Sequence, residues 1–107
     1  MERKIINPWK WQDQRSYVQA VEVKNVESTQ YVSGQTAISA DGISSDADMK
    51  SQLTIALQNL EQVISEAGFE FSGIVRLNIY TTSTAELWPH FEIFQNWVAK
   101  YNVRPAV

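Results

Sequence analysis

The stretch DADMKSQLTIALQNLEQVISEAG, residues 46–68, carries the clearest structural signal in the chain. From Met49 onward its apolar residues recur at steps of three and four, which predicts an amphipathic helix with one apolar stripe. Ser44, Ser45 and Asp46 are the candidate N-caps, and Asp46 and Asp48 place negative charge where the helix dipole favours it. Gly68 suits the position just after the C-terminal end. The sequence therefore predicts a helix over Asp46–Ala67.

Two further elements are predicted downstream of this helix. The β-branched residues of Ile74–Thr81 predict a strand. Proline lacks the N–H that an interior helical turn needs, so Pro89 belongs in the first turn of a helix. We therefore expect the main second helix to begin near Trp88, after a separate turn over Thr84–Leu87, and to end before Arg104-Pro105.

Two strands are predicted upstream of the first helix. Tyr17–Val23 is one candidate, and Gln30–Ala40 is the other, followed by a turn at Asp41-Gly42. The second candidate contains Gly34, and a glycine inside a strand marks either a bulge or a close approach to the backbone. Both interpretations of Ser33-Gly34-Gln35 stay open: a strand bulge, or a glycine that clears space for a ligand.

The predicted order of strand, strand, helix, strand, helix indicates an α+β domain over residues 17–107, preceded by an extended N-terminal arm over residues 1–16. Trp9 and Trp11 would point the same way in such an arm. Two helices with single apolar stripes can cover only one face of the sheet. Because apolar residues alternate onto both faces of the predicted strands, we expect the uncovered face to be buried by self-association.

Composition narrows the classes of function. The chain has 107 residues, a net charge of −3 and no cysteine, so it can form one modest core, and it lacks thiolate chemistry and the basic surface typical of nucleic-acid binding. Neither a signal peptide nor a long apolar run is present, so we expect a cytoplasmic protein with no membrane partner. His90, the only histidine, is interpreted as a solvated residue at a helix start, and we expect no metal site.

An ordered set of short motifs resembles the reactive-intermediate deaminase family, also called RidA or YjgF-like. The resemblance covers about Tyr17 to Val107. Its motifs are Tyr17-Val18-Gln19-Ala20, Tyr31-Val32-Ser33-Gly34-Gln35, Ala56-Leu57-Gln58-Asn59-Leu60, Glu66-Ala67-Gly68, Ile74-Val75-Arg76-Leu77-Asn78-Ile79-Tyr80-Thr81-Thr82 and Pro105-Ala106.

The resemblance implies a chorismate-mutase-like α+β fold, with a mixed sheet, two helices on one face, and a homotrimer built around a central β-barrel. It also implies ligand clefts between neighbouring subunits, hydrolysis of imines or enamines to release ammonia, and no metal or cofactor. Carried over by position, Tyr17 would line the cleft, and Ser33 and Gly34 would form its floor. The ligand would then be a small planar molecule.

The family's substrate-binding arginine follows Pro-Ala, but here Val107 follows Pro105-Ala106. Only a guanidinium offers the planar pair of donors that matches a carboxylate, so Val107 is expected to contribute apolar contact alone. Arg104 lies before the proline and is not expected to reach the same point. Members of the family continue with a further strand that carries a water-positioning glutamate, and this sequence has no counterpart. We expect that this chain is truncated before that strand; the alternative is that the protein lacks it. Two functions stay open: an imine or enamine hydrolase, and a non-catalytic metabolite-binding or regulatory trimer. A third alternative is RNA cleavage or binding, which the acidic charge balance does not support.

Overall fold

The computed structural model describes residues 1–107 as an α+β fold in which an antiparallel pair of strands accompanies a helical layer. Strand β1, Glu2–Ile6, pairs with strand β2, Ala20–Lys24. The helices are α1, Met49–Glu66, α2, Thr84–Leu87, and α3, Phe91–Lys100. Shorter 3-10 helices span Trp11–Arg15, Phe71–Gly73 and Trp88–His90. The predicted fold class, α+β, is confirmed.

Helix α1 agrees closely with the sequence prediction. Asp48 is its N-cap, and the Asp48 carboxylate accepts a hydrogen bond of 2.9 Å from the backbone N–H of Ser51. Gly68 follows the helix with a φ of +76°, in the left-handed region where glycine avoids the cost of a Cβ. The predicted interruption of the second helix is also confirmed, because a 3-10 turn containing Pro89 separates α2 from α3.

The core lies between α3 and α1. Phe94, Trp97 and Val98 from α3 are buried together with Val103, and leucines of α1 pack against them. The Trp97 indole N–H also donates a hydrogen bond of 2.7 Å to the Glu61 carboxylate, which links the two helices. Other residues packed against this core are Leu57, Leu60, Phe71, Ile74, Leu77, Ile79, Phe91 and Tyr101.

The C-terminal residues lie between two extended segments. The Val18 N–H donates to the Pro105 carbonyl, and the Ala106 N–H donates to the Val75 carbonyl, both at 3.0 Å. These contacts form isolated parallel bridges from Ala106 to Val18 and to Arg76. The one sheet of the chain is antiparallel, and the parallel contacts at Ala106 are isolated bridges outside it.

Two predicted strands do not form ladders. Gln30–Ala40 is irregular apart from a bridge at Ile38, and Ile74–Thr81 has one bridge at Arg76. The carbonyls of Thr36 and Ile38 accept hydrogen bonds from the Asn59 side chain of α1 instead. A strand needs a neighbouring backbone to pair with, and no other segment of this chain pairs with Gln30–Gln35.

The N-terminal segment also differs from its prediction. It is a paired strand over Glu2–Ile6, but Trp11 begins a 3-10 helix rather than continuing an extended arm. The prediction that Trp9 and Trp11 point the same way assumed an extended arm, so it does not apply to this structure. Both indoles are exposed. Separately, none of the helices is long and apolar enough to cross a bilayer.

Candidate functional site

The sequence-predicted site residues occupy three places in the structure. Tyr17 is half-buried at the end of the first 3-10 helix, Ser33 and Gly34 lie exposed in the irregular segment, and Val107 is exposed at the chain end. Tyr17 and Val107 flank the same backbone bridge, because Val18 pairs with Ala106. Neither of the two cavities described below is lined by Ser33 or Gly34.

Tyr17 is placed by a sharp change of chain direction. Ser16 has a φ of +64°, which ends the 3-10 helix and turns the chain toward β2. The Tyr17 ring then meets the Trp11 ring edge-on, with centroids 6.3 Å apart and an interplanar angle of 83°. Such an edge-to-face arrangement is favourable for aromatic pairs, so Trp11 helps to hold the phenol ring.

A hydrogen-bonded cluster around Gln12 connects this turn to the sheet. Gln12 is fully buried, and its side-chain amide donates to Asn7 Oδ1 at 3.0 Å. Gln12 Oε1 accepts from Gln19 Nε2 at 2.9 Å, while the Gln19 backbone N–H also donates to Asn7 Oδ1. We call Asn7, Gln12 and Gln19 the amide cluster. Sequence reasoning missed it, because an isolated glutamine in a polar segment carries no periodic signal.

The segment around Gly34 is open. A Cβ placed on Gly34 would meet no atom within 4 Å, so the space on the side-chain side of this glycine is empty in the single chain. The only hydrogen bond at Ser33 is the one that its carbonyl accepts from Gln35 Nε2, at 3.1 Å. A bulge requires a paired strand, so no bulge forms at Gly34 within the single chain.

One cavity adjoins a predicted site residue. It measures about 330 Å³ and lies where Tyr17 faces the end of α3. Arg104 also lines it, together with Asp13, so a phenol, a guanidinium and a carboxylate border the same space. The sequence alone gave no reason to expect Arg104 here. The complete lining is Asp13, Ser16, Tyr17, Val18, Val98, Ala99, Asn102, Val103 and Arg104.

The remaining polar candidate from the sequence is His90. His90 lies at the N-terminal end of α3, and its imidazole makes no hydrogen bond that would link it to a serine. No group of three or more His, Cys, Asp or Glu side chains is positioned to hold a metal ion.

A sequence model of the family described as endoribonuclease L-PSP matches residues 11–107. The chain belongs to this family. A RutC family protein of Aquifex aeolicus (strain VF5) is 29% identical over 90 residues, which are 84% of this chain and 70% of that protein.

A solved structure shares the fold. It is the crystal structure of YyfB from Yersinia pestis, described as a protein of unknown function of the conserved Rid family. The two chains agree with a TM-score of 0.79 at 27% identity, over 100% of this chain and 82% of the other. The predicted membership of the RidA-like group is therefore confirmed.

Proposed function

We propose that this member of the L-PSP family binds a small molecule at a site completed where identical copies meet, and that its ligand lacks a carboxylate. The reaction that fits this chemistry is metal-free hydrolysis of a neutral imine or enamine. The imine carbon gains the oxygen of water, the C–N bond breaks, and a carbonyl compound and ammonia are released. The observation that carries the proposal is the open Ser33-Gly34 segment, which no other part of the chain pairs with. The ligand class follows from the sequence, where Val107 stands after Pro105-Ala106.

The exposure of two tyrosines supports the proposal that identical copies of the chain assemble. Tyr31 and Tyr80 are 92% and 89% exposed, although both lie in segments with the residue pattern of strands. Tyrosine is enriched in protein interfaces, where its ring buries a large area. A second copy lying on these segments would cover both rings and supply the missing neighbour at Gly34. We propose a homotrimer, as the resemblance implies.

The nature of Val107 supports the ligand class. A carboxylate that leaves water needs compensating charged hydrogen bonds, and an isopropyl side chain has no donor. A neutral imine loses less hydration free energy than a carboxylate when it leaves water. A pocket of matching shape with a few weak hydrogen bonds is therefore enough to bind it. The Tyr17 phenol and the Ser33 hydroxyl are groups of that kind.

A second function, ligand binding without turnover, is favoured by the surroundings of Ser33. Its hydroxyl makes no hydrogen bond in the chain, whereas a serine nucleophile needs an adjacent base to accept its proton. A regulatory trimer that senses a metabolite needs no such base. Binding alone would raise the melting temperature as ligand concentration increases.

The test compares two imines that are generated in the assay. The neutral imine is made from a primary amine by a flavin amine oxidase. The anionic imine, 2-iminopropanoate, is made from alanine by an amino-acid oxidase. Semicarbazide reacts faster with the imine than with the carbonyl product, so the initial rate of semicarbazone formation with and without the protein measures how much imine the protein removes. We expect faster decay of the neutral imine alone. Val107→Arg should add activity on 2-iminopropanoate by about tenfold or more, because a charged hydrogen bond is restored.

Each outcome separates the candidates. Fast breakdown of 2-iminopropanoate by the unmodified chain would contradict the ligand class that Val107 indicates. Decay of neither imine, combined with a metabolite that raises the melting temperature, would favour the binding function over the enzyme.

A further inference from the structure

A second recess lies between the first 3-10 helix and the start of α3. We call it the tryptophan groove. It measures about 560 Å³, which is within the range of small-molecule sites. Trp11, Arg15 and Trp88 line it, with Glu92 and Gln95 at the side of α3. It shares no lining residue with the cavity beside Tyr17.

The guanidinium of Arg15 lies close to both indoles. Its central carbon is 5.4 Å from the centre of the Trp11 ring and 5.8 Å from that of the Trp88 ring. A cation within about 6 Å of an aromatic centroid is held by the ring quadrupole. The two contacts therefore restrict the guanidinium without using its N–H donors.

Those donors have no partner in the chain. Arg15 makes no side-chain hydrogen bond, and the one salt bridge of the chain joins Lys24 to Glu22. A guanidinium presents paired N–H groups in a plane, which match the two oxygens of a carboxylate. The arginine is thus held in position with its anion-binding edge unused.

Other contacts hold the two indoles in place before any ligand arrives. The Trp88 ring stacks on Phe91 with centroids 4.9 Å apart, and Trp11 meets the edge of Tyr17. The Gln95 side chain donates to the Gln14 carbonyl at 2.6 Å, which ties the 3-10 helix to α3. Rings fixed in advance lose little conformational entropy on binding.

We propose that the tryptophan groove binds small aromatic carboxylates. The carboxylate would pair with the free edge of Arg15, and the aromatic ring would lie on exposed indole surface, since Trp11 and Trp88 are 52% and 57% exposed. Glu92 adds a negative charge to the lining, so the groove selects monoanions over dianions. This site is separate from the proposed imine site, where Val107 disfavours carboxylates.

The experiment titrates the protein with benzoate and follows the indole N–H signals of Trp11 and Trp88 by NMR. Benzamide, which has the same shape without charge, and phthalate, a dianion, are the matched probes. Arg15→Lys keeps the charge but loses the planar fork, and Arg76→Lys is the control at an exposed arginine outside the groove. Melting curves of each variant confirm that it is folded.

We expect benzoate to shift both indole signals, and benzamide, phthalate and the Arg15→Lys variant each to give binding about tenfold weaker. Glu92→Gln should tighten binding and reduce the preference for benzoate over phthalate. Equal binding of benzamide, full binding by Arg15→Lys, or no shift at saturating benzoate would overturn the proposal. Loss of binding in Arg104→Lys instead would place benzoate in the cavity beside Tyr17, and that result would overturn the proposal as well.

Discussion

The helical layer and the extended segments of this chain differ in how far their large side chains are buried. Phe94, at the centre of the helical layer, is 3% exposed. Tyr31 and Tyr80, on the extended segments, are almost fully exposed. The core residues of the helices are thus buried by contacts within one chain. The two tyrosines lie in segments with the residue pattern of strands, but nothing in the same chain covers them. In the proposed assembly, a second copy of the chain covers these two tyrosines.

The largest expected effect is a loss of stability when the core of the helical layer is disrupted. Phe94→Ala should lower the free energy of unfolding by about 3–5 kcal/mol, because a large buried ring is lost and a cavity remains. Chemical denaturation measures it. Phe69→Ala is the comparison, since Phe69 is 38% exposed, and we expect a smaller loss of about 1 kcal/mol. Equal losses in the two variants would mean that the helical core is placed wrongly.

The next largest effect is on self-association through the extended segments. Replacing Tyr31 and Tyr80 with serine should weaken self-association by roughly 2 kcal/mol for each ring, or about thirtyfold, while the monomer stays folded. Sedimentation velocity over a range of concentrations measures this change. Tyr101→Ser is the comparison, because Tyr101 stacks on Phe71 at 4.3 Å and should affect stability instead. An unchanged association constant in the double variant would contradict the proposed interface.

The amide cluster gives a smaller effect. Gln12→Ala removes one member, so Asn7 and Gln19 lose buried hydrogen bonds, and the free energy of unfolding should fall by about 1–3 kcal/mol. Gln14→Ala is a neighbouring control, since the Gln14 side chain is exposed and only its backbone carbonyl is used. If both variants unfold at the same denaturant concentration, the cluster does not stabilise the turn before Tyr17.

The smallest effect is at the start of α1. The hydrogen bond from Ser51 to the Asp48 side chain, reinforced by the nearby charges of His90 and Lys50, lowers the pKa of Asp48. Because the carboxylate form is favoured in the folded state, its contribution is present above the ordinary carboxyl pKa and is lost as pH falls through the lowered value. Asp48→Asn should therefore flatten the dependence of melting temperature on pH slightly between neutral pH and about pH 3. A curve parallel to that of the unmodified protein would contradict this assignment.

Sequence patterns predicted the helical layer well for a physical reason. The periodicity that marks α1, the cap at its N-terminal end and the proline before α3 act within a few residues along the chain. The extended segments depend on a partner backbone that can lie anywhere in the sequence or in another copy, so Gln30–Ala40 was predicted as a strand that the single chain does not form.

The site was predicted less completely than the fold. Tyr17 could be selected from its motif and does border a cavity, but Arg104 beside it depends on how the chain turns after α3. The tryptophan groove joins residues more than 70 positions apart in sequence, Arg15 and Trp88. No local pattern connects such residues.

The central claim is that Ser33, Gly34 and the two exposed tyrosines face another copy of the same chain. Sedimentation equilibrium tests it most directly, by weighing the native protein at micromolar concentration. We predict three times the chain mass of 12.2 kDa. A single species at 12.2 kDa across the whole concentration range would contradict the claim.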